Sequence, residues 1–184
     1  MNATGEAILT HPHPRGHFVY PYTTESQFVD AVCLFAGTGL QNGESAILIM
    51  EQSHCEPVRR HLQDNGFNVS ELESTGRLAC ESAEDLLATF LFDGIIDEYK
   101  FKQRVGTLIE KAKTAARGGQ VRVMGEMVNL TVSDNPKATE RLEELWNDVI
   151  RIHSVSLLCA YCLGGTRPDA LPASLIACHS EALV

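Results

Sequence analysis

The feature that most limits what this chain can fold into is a set of short, continuous apolar runs. Ala46–Met50 (AILIM) and Val155–Cys162 (VSLLCAYC) are too short for long buried helices and show no alternation of wet and dry positions. Such runs read as strands covered on both faces, the arrangement of a parallel sheet. Leu78–Cys80 and Val121–Gly125 add shorter strands, and His17–Tyr20 reads as another. Between these runs, apolar residues recur at helical spacing. Phe28, Val32, Phe35 and Ala36 form one such stripe; Phe101, Val105, Leu108, Ile109 and Ala112 another; Leu142, Leu145, Trp146, Val149 and Ile150 a third. Strands alternating with helices imply βαβ units, and right-handed crossovers place helices on both faces of a mostly parallel sheet. The fold class is therefore α/β.

Punctuation supports this division. Thr23-Thr24-Glu25-Ser26 is a helix start, with hydroxyls to cap free N–H groups and an acid in the first turn. Gly39–Glu44 reads as the end of that helix. Ser53–Asn65 is a helix capped by Ser53, residues 67–77 a connector, and Ser82 the start of a further helix broken at Asp93-Gly94. Asp97–Arg117 is a long amphipathic helix, a short helix follows Glu126, and Ser133–Pro136 opens the helix that carries Trp146. His11-Pro12-His13-Pro14 cannot sit inside a helix, so residues 1–15 are expected to be a flexible tail. The expected domain spans residues 16–165. Residues 166–184 form an extension whose Pro172–Ala182 segment allows a short helix on the domain.

The length of 184 residues suits one domain with a full core. A net charge of −9 argues against nucleic acid and anionic lipid as partners. No apolar run approaches the roughly 18 residues of a membrane span, and Met1–Gly16 lacks the apolar stretch of a secretory leader. A cytoplasmic location with reduced thiols is the expectation for the six scattered cysteines.

Several segments, taken in order, resemble the MEDS domain, the sensory domain of DcmR-type regulators. They are His17-Phe18-Val19-Tyr20-Pro21-Tyr22, Gly39-Leu40 with Gly43-Glu44, Gly76-Arg77-Leu78, Gly125-Glu126-Met127-Val128, Leu142-Glu143 with Leu145-Trp146-Asn147, Ser156–Tyr161 and Ile176-Ala177-Cys178-His179. Cys162 departs from the pattern, standing where Pro is expected. The resemblance covers residues 16–180 and implies a RecA/KaiC-like three-layer core. It also implies a sensory role directed at small hydrocarbon derivatives. The chain ends soon after this region without a helix-turn-helix or kinase segment, so signalling is expected to pass through a separate regulator or kinase.

The stretch corresponding to a phosphate-binding loop, Tyr20–Gln27, contains neither Gly nor Lys. Backbone N–H groups cannot converge on a phosphate there, and ATP hydrolysis is not expected. The expected ligand site lies instead at the carboxyl ends of the strands, where open α/β sheets bind small molecules. Its candidate residues are His17, Tyr20, Tyr22, Glu126, Cys159 and His179. Glu126 follows directly on a buried strand, where a carboxylate needs partners. No cofactor or metal is assigned. Cys159 and Cys162 form a Cys-x-x-Cys, but three residues apart on a strand they point to opposite faces. His54, His61 and His153 read as ordinary helix-surface or helix-end residues, and the Glu143 helix gives no assigned site. The leading reading is a non-catalytic sensor of a small molecule. Two rivals are an enzyme using His17 and Glu126 as an acid/base pair, and a ligand-free scaffold for a signalling partner. A homodimer is compatible with the class, although the residues do not specify one.

Overall fold

The structure, a computed structural model, describes residues 3–164 and 170–183. Six strands form one parallel sheet: β1 (His17–Tyr22), β2 (Ser45–Met50), β3 (Leu78–Ser82), β6 (Val121–Gly125), β7 (Ser156–Cys162) and β8 (Glu181–Ala182), in the spatial order β3-β2-β6-β7-β1-β8. A separate two-stranded hairpin joins β4 (Leu91–Phe92) to β5 (Ile95–Ile96). Asp93 and Gly94 both have positive φ, which matches the twist a two-residue hairpin turn requires.

Two layers of helices cover the sheet. The α2 helix (Glu25–Gln41), α3 (Gln52–Asp64) and α4 (Val69–Ser74) lie on one face, packed on Phe18, Leu48, Met124 and Leu158. The α5 helix (Ala83–Ala88), α6 (Glu98–Ala115) and α7 (Pro136–His153) lie on the other, packed on Val19, Ile47, Val123 and Leu157. Successive residues of each strand thus feed different cores, which explains why β2 is buried at all six positions. The three-layer α/β class read from the sequence is the one observed. No helix among the described residues is long and apolar enough to cross a membrane.

Local differences from the sequence reading have identifiable causes. The expected tail contains a helix, α1 (Ala3–Thr10), with Leu9 fully buried against α2. The Arg122 guanidinium holds it there, donating to the carbonyls of Leu9 at 3.0 Å, Thr10 at 3.2 Å and Phe35 at 2.9 Å while pairing with Glu44. The α2 helix runs through Gly37 and Gly39 and ends at Gln41, inside the Gly39–Glu44 segment read as its end. A Cβ on Gly39 would lie 2.5 Å from Arg122 Nε, so glycine is needed for the guanidinium to cross the helix. The N-cap of α3 is Glu51, without a side-chain cap, rather than Ser53. The 67–77 connector contains α4, capped by Asn68. Among the described residues of the C-terminal extension, only Ala173–Ile176 is helical (α8), and the chain then adds β8 beside β1, with Phe18 opposite Glu181. The expected boundary at residues 165 and 166 lies outside the described residues.

Candidate functional site

The chain leaves β2 toward α3 on one face and leaves the neighbouring β6 toward a 3-10 helix (Met127–Leu130) and α7 on the other. Neighbouring strands with diverging exits open a crevice at their carboxyl ends. Glu126 stands at this point, fully buried, with its own amide donating to Ile49 of β2 at 2.9 Å. Four donors converge on its carboxylate. The Tyr22 hydroxyl makes a very short bond, the Glu51 amide and His54 Nδ1 donate at 2.9 Å, and Asn129 Nδ2 donates at 3.2 Å. Asn129 also accepts from the Cys162 amide at 2.9 Å, tying β7 to the same group. The His54 ring stacks on Phe28 with centroids 4.3 Å apart. The hydrogen bond to Glu126, followed by the charges of Glu126, Glu51 and Glu25, raises the His54 pKa against the opposing effect of burial. Burial and the Glu126 charge push the Tyr22 hydroxyl far above its ordinary value.

A second group lies across the sheet, beneath α7 and the segment after α8. The His17 ring leaves the start of β1 and places Nε2 3.1 Å from Glu143 Oε2 and 3.2 Å from Cys159 Sγ. His179 Nε2 lies 3.5 Å from the same Glu143 oxygen, and the two histidine rings are 4.1 Å apart. The other Glu143 oxygen accepts from Tyr161 at 2.5 Å. His17 Nδ1 faces Asn147 Oδ1 at 3.0 Å, and Asn147 Nδ2 donates to the Cys178 carbonyl at 3.1 Å. Burial works to raise the Glu143 carboxyl but is outweighed by the His17 bond and the His179 and His17 charges, so its pKa falls. Burial, then Glu143, pushes the Cys159 thiol well up. Burial, aided by the His17 charge, pulls His179 down against the opposing charge of Glu143.

The six candidates read from the sequence therefore divide into two sets. His17, Cys159 and His179 belong to one group, and Tyr22 and Glu126 to the other. Tyr20 lies on the Tyr22 side, its hydroxyl donating to the Gln27 carbonyl at 3.1 Å and its ring stacked 6.5 Å from that of Tyr22. His17 and Glu126, the suggested acid/base pair, share no bond and sit in separate networks. His54 corrects the sequence reading: it is a partner of Glu126 rather than a surface histidine. Glu143, Asn147, Tyr161 and Asn129 are functional candidates that the sequence reading lacks. Glu143 carries a legible signal, since seven residues on a helix bring Ile150 to within about 20° of it. Cys162 faces the α2 layer while Cys159 faces α7, as strand alternation requires.

The start of α2 is closed to anions. The Thr24 hydroxyl accepts from the Gln27 amide, and the Gln27 side chain accepts from the amides of Thr23 and Thr24 at 2.9 and 3.3 Å. Glu25 adds a negative charge in the same turn. A surface groove of about 360 Å³ between α2 and α3, lined by Asp30, Cys33, Gly37, Thr38 and Phe67 among others, lies apart from both networks.

A parallel three-layer domain with a capped, glycine-free turn after its first strand and a buried carboxylate at the exit of a central strand is a domain of the α/β class. The family model described as MEDS, the MEthanogen/methylotroph, DcmR Sensory domain, matches residues 16–180. The chain belongs to this family of sensory domains. No curated protein matches it.

Proposed function

We propose that the domain senses a small, partly polar molecule at the β2/β6 crevice and signals by changing the surface it offers to a separate regulator or kinase. The observation that supports this most is the placement of Glu126: a fully buried carboxylate at the point where neighbouring strands send the chain to opposite faces. Of its four partners, His54 is the one that can yield, because its side chain keeps 15% exposure and lies on α3 rather than in the sheet. A ligand carrying a hydroxyl or amine donor replaces His54 on Glu126, and the displaced α3 turn alters the outer surface. Oxygenated or aminated hydrocarbon derivatives have this chemistry. Differential affinity for the two His54 positions is what lets such a ligand shift a population.

Binding without turnover fits the site. The Cys55 thiol, on the same α3 turn as His54, is kept in its protonated form by burial and the nearby Glu84 charge, and the capped α2 turn presents no phosphate cradle. Six free cysteines suit a reducing, cytoplasmic setting.

The test is a two-dimensional amide NMR titration with short-chain alcohols and amines, with carboxylates as the control that offers Glu126 no donor. Saturable shifts at Glu51, His54, Gly125 and Asn129, lost in Glu126→Gln, are expected for the alcohols or the amines. Shifts confined to the α2/α3 groove, or unchanged in Glu126→Gln, would place the ligand elsewhere and sink this reading.

A further inference from the structure

We propose that His17, Glu143, Cys159 and His179 form a site for a divalent transition-metal ion of the zinc class, held by the two Nε2 atoms, the Cys159 sulfur and one Glu143 oxygen. The site is independent of the ligand proposed at the β2/β6 crevice.

Geometry is the first support. The four ligand atoms all lie within 4.8 Å of one another. Their separations are 3.1 Å (His17–Glu143), 3.2 Å (His17–Cys159), 3.5 Å (His179–Glu143) and 3.6 Å (Cys159–Glu143). Tetrahedral angles with ordinary zinc–nitrogen, zinc–oxygen and zinc–sulfur bond lengths place such atoms about 3.4–3.6 Å apart. Widening the two shortest separations by a few tenths of an ångström, and drawing in the remaining pairs that lie within 4.8 Å, satisfies all four.

Proton placement is the second. The Asn147 amide donates to the Cys178 carbonyl, so its oxygen faces His17 and must accept a proton from Nδ1. His179 Nδ1 faces the Leu175 carbonyl at 2.8 Å and must likewise donate. In neutral rings both Nε2 lone pairs then point at a carboxylate oxygen. The His179 side chain is fully buried, and its Nε2 has no hydrogen-bond partner among the described residues. A proton on His17 Nε2 would satisfy the His17–Glu143 contact but leave His179 facing an anion with its lone pair. A cation at the centre reconciles both. The bonds from the far side of each ring to an amide oxygen and a carbonyl, and from Tyr161 to the second Glu143 oxygen, are the outer contacts that orient metal ligands.

Charge selects the ion. One carboxylate and one thiolate balance a dication, so the buried group becomes neutral overall. Binding breaks the Cys159 S–H bond and releases that proton to solvent. Two imidazoles and a thiolate favour zinc or a similar ion over magnesium or calcium. Four protein ligands from β1, α7, β7 and the segment after α8 make a closed, structural site that fastens the C-terminal segment to the sheet.

The test uses the full chain, stripped of metal by chelator in denaturant and refolded with cobalt(II). Saturation at one cobalt per chain is expected, with a thiolate-to-cobalt charge-transfer band and the intense visible bands of tetrahedral coordination. Zinc should bleach both. The charge-transfer band should vanish in Cys159→Ser and persist in Cys162→Ser and Cys178→Ser. His179→Ala should lose the bound ion, and with it the zinc-dependent rise in Tm, while its far-ultraviolet circular dichroism stays that of the folded domain. Failure of folded wild-type protein to take up stoichiometric metal overturns the proposal, as does a charge-transfer band that survives Cys159→Ser or depends on Cys162.

Discussion

Replacing Glu126 with Gln changes one atom and keeps the shape, so its effect isolates the chemistry of the buried carboxylate. Tyr22 and Asn129 donate to one oxygen, and Glu51 and His54 to the other. A Gln amide offers one acceptor and one donor group. Whichever way it turns, its NH2 faces two donors. A buried donor left without an acceptor costs about 1–3 kcal/mol. The Tyr22 hydroxyl can rotate to accept instead, and His54 can turn toward water, so the lower half of the summed range applies: about 2–4 kcal/mol. For a domain of this size that is a fall in Tm of about 4–16 °C. Urea unfolding followed by the single tryptophan, Trp146, reads the loss directly, because Trp146 is buried beside Gly125 at the end of the strand that presents Glu126. A change below about 0.5 kcal/mol, the size of an ordinary surface substitution, would refute the account of Glu126 as the shared acceptor of four groups. A double-mutant cycle with His54→Ala sharpens the result, since a coupling near zero would mean the His54 bond contributes nothing even if the other three do.

Further predictions rest on particular contacts. His54 has a raised pKa in the folded protein, so its pairing with Glu126 stabilises fully below the ordinary value of 6.5 and is lost as pH rises through the higher folded value; urea midpoints measured across this window should fall with pH in the wild type and fall less in His54→Ala. Arg122→Met should cost about 3–5 kcal/mol, because it leaves buried carbonyls of α1 and α2 without donors and Glu44 without its cation. Hydrogen exchange should show α1 losing protection first, and uniform exchange across the domain would count against Arg122 as the anchor of that helix. Gly39→Ala should destabilise by about 1–3 kcal/mol despite the helix-favouring side chain, because its Cβ would meet Arg122 Nε at 2.5 Å; a more stable variant would show that the guanidinium can move aside.

Much of the architecture is legible in the sequence because the strands are marked by composition alone. Ala46–Met50 needs no partner information to be read as a two-sided strand, and all its side chains are buried. The helices are equally plain where a hydroxyl or acid cap precedes an apolar stripe, as at Thr24 and Asp97. The N-terminal helix escapes such a reading for a different reason. Its place is fixed by the Arg122 side chain, more than a hundred residues away, and a long-range anchor leaves no local pattern. The same is true of β8, a two-residue edge strand that exists only because β1 offers it a ladder.

The sites are half legible, and the reason is the period of a strand. Glu126 stands out because a carboxylate after a buried run must be satisfied by something. Grouping His17, Tyr20 and Tyr22 in one pocket neglects their parity. His17 is odd-numbered and Tyr20 and Tyr22 are even, so on a continuous strand the histidine and the tyrosines must face different layers. The structure obeys this rule: the tyrosines pack toward α2, and His17 turns toward α7. On β7, Cys159 and Tyr161 share the face that β1 gives to His17, because β1 pairs in parallel with Val19 opposite Cys159. Parity along two neighbouring strands, applied with their register, therefore separates a histidine–thiol–carboxylate group from a tyrosine–carboxylate group. Register is the quantity a single sequence lacks, and it depends on which strands are neighbours. Once β7 is placed between β6 and β1, His17 and Cys159 of one group and the switch-point carboxylate of the other follow from strand geometry, whereas Glu143 on α7, His179 after α8 and His54 on α3 come from elements that strand parity does not place.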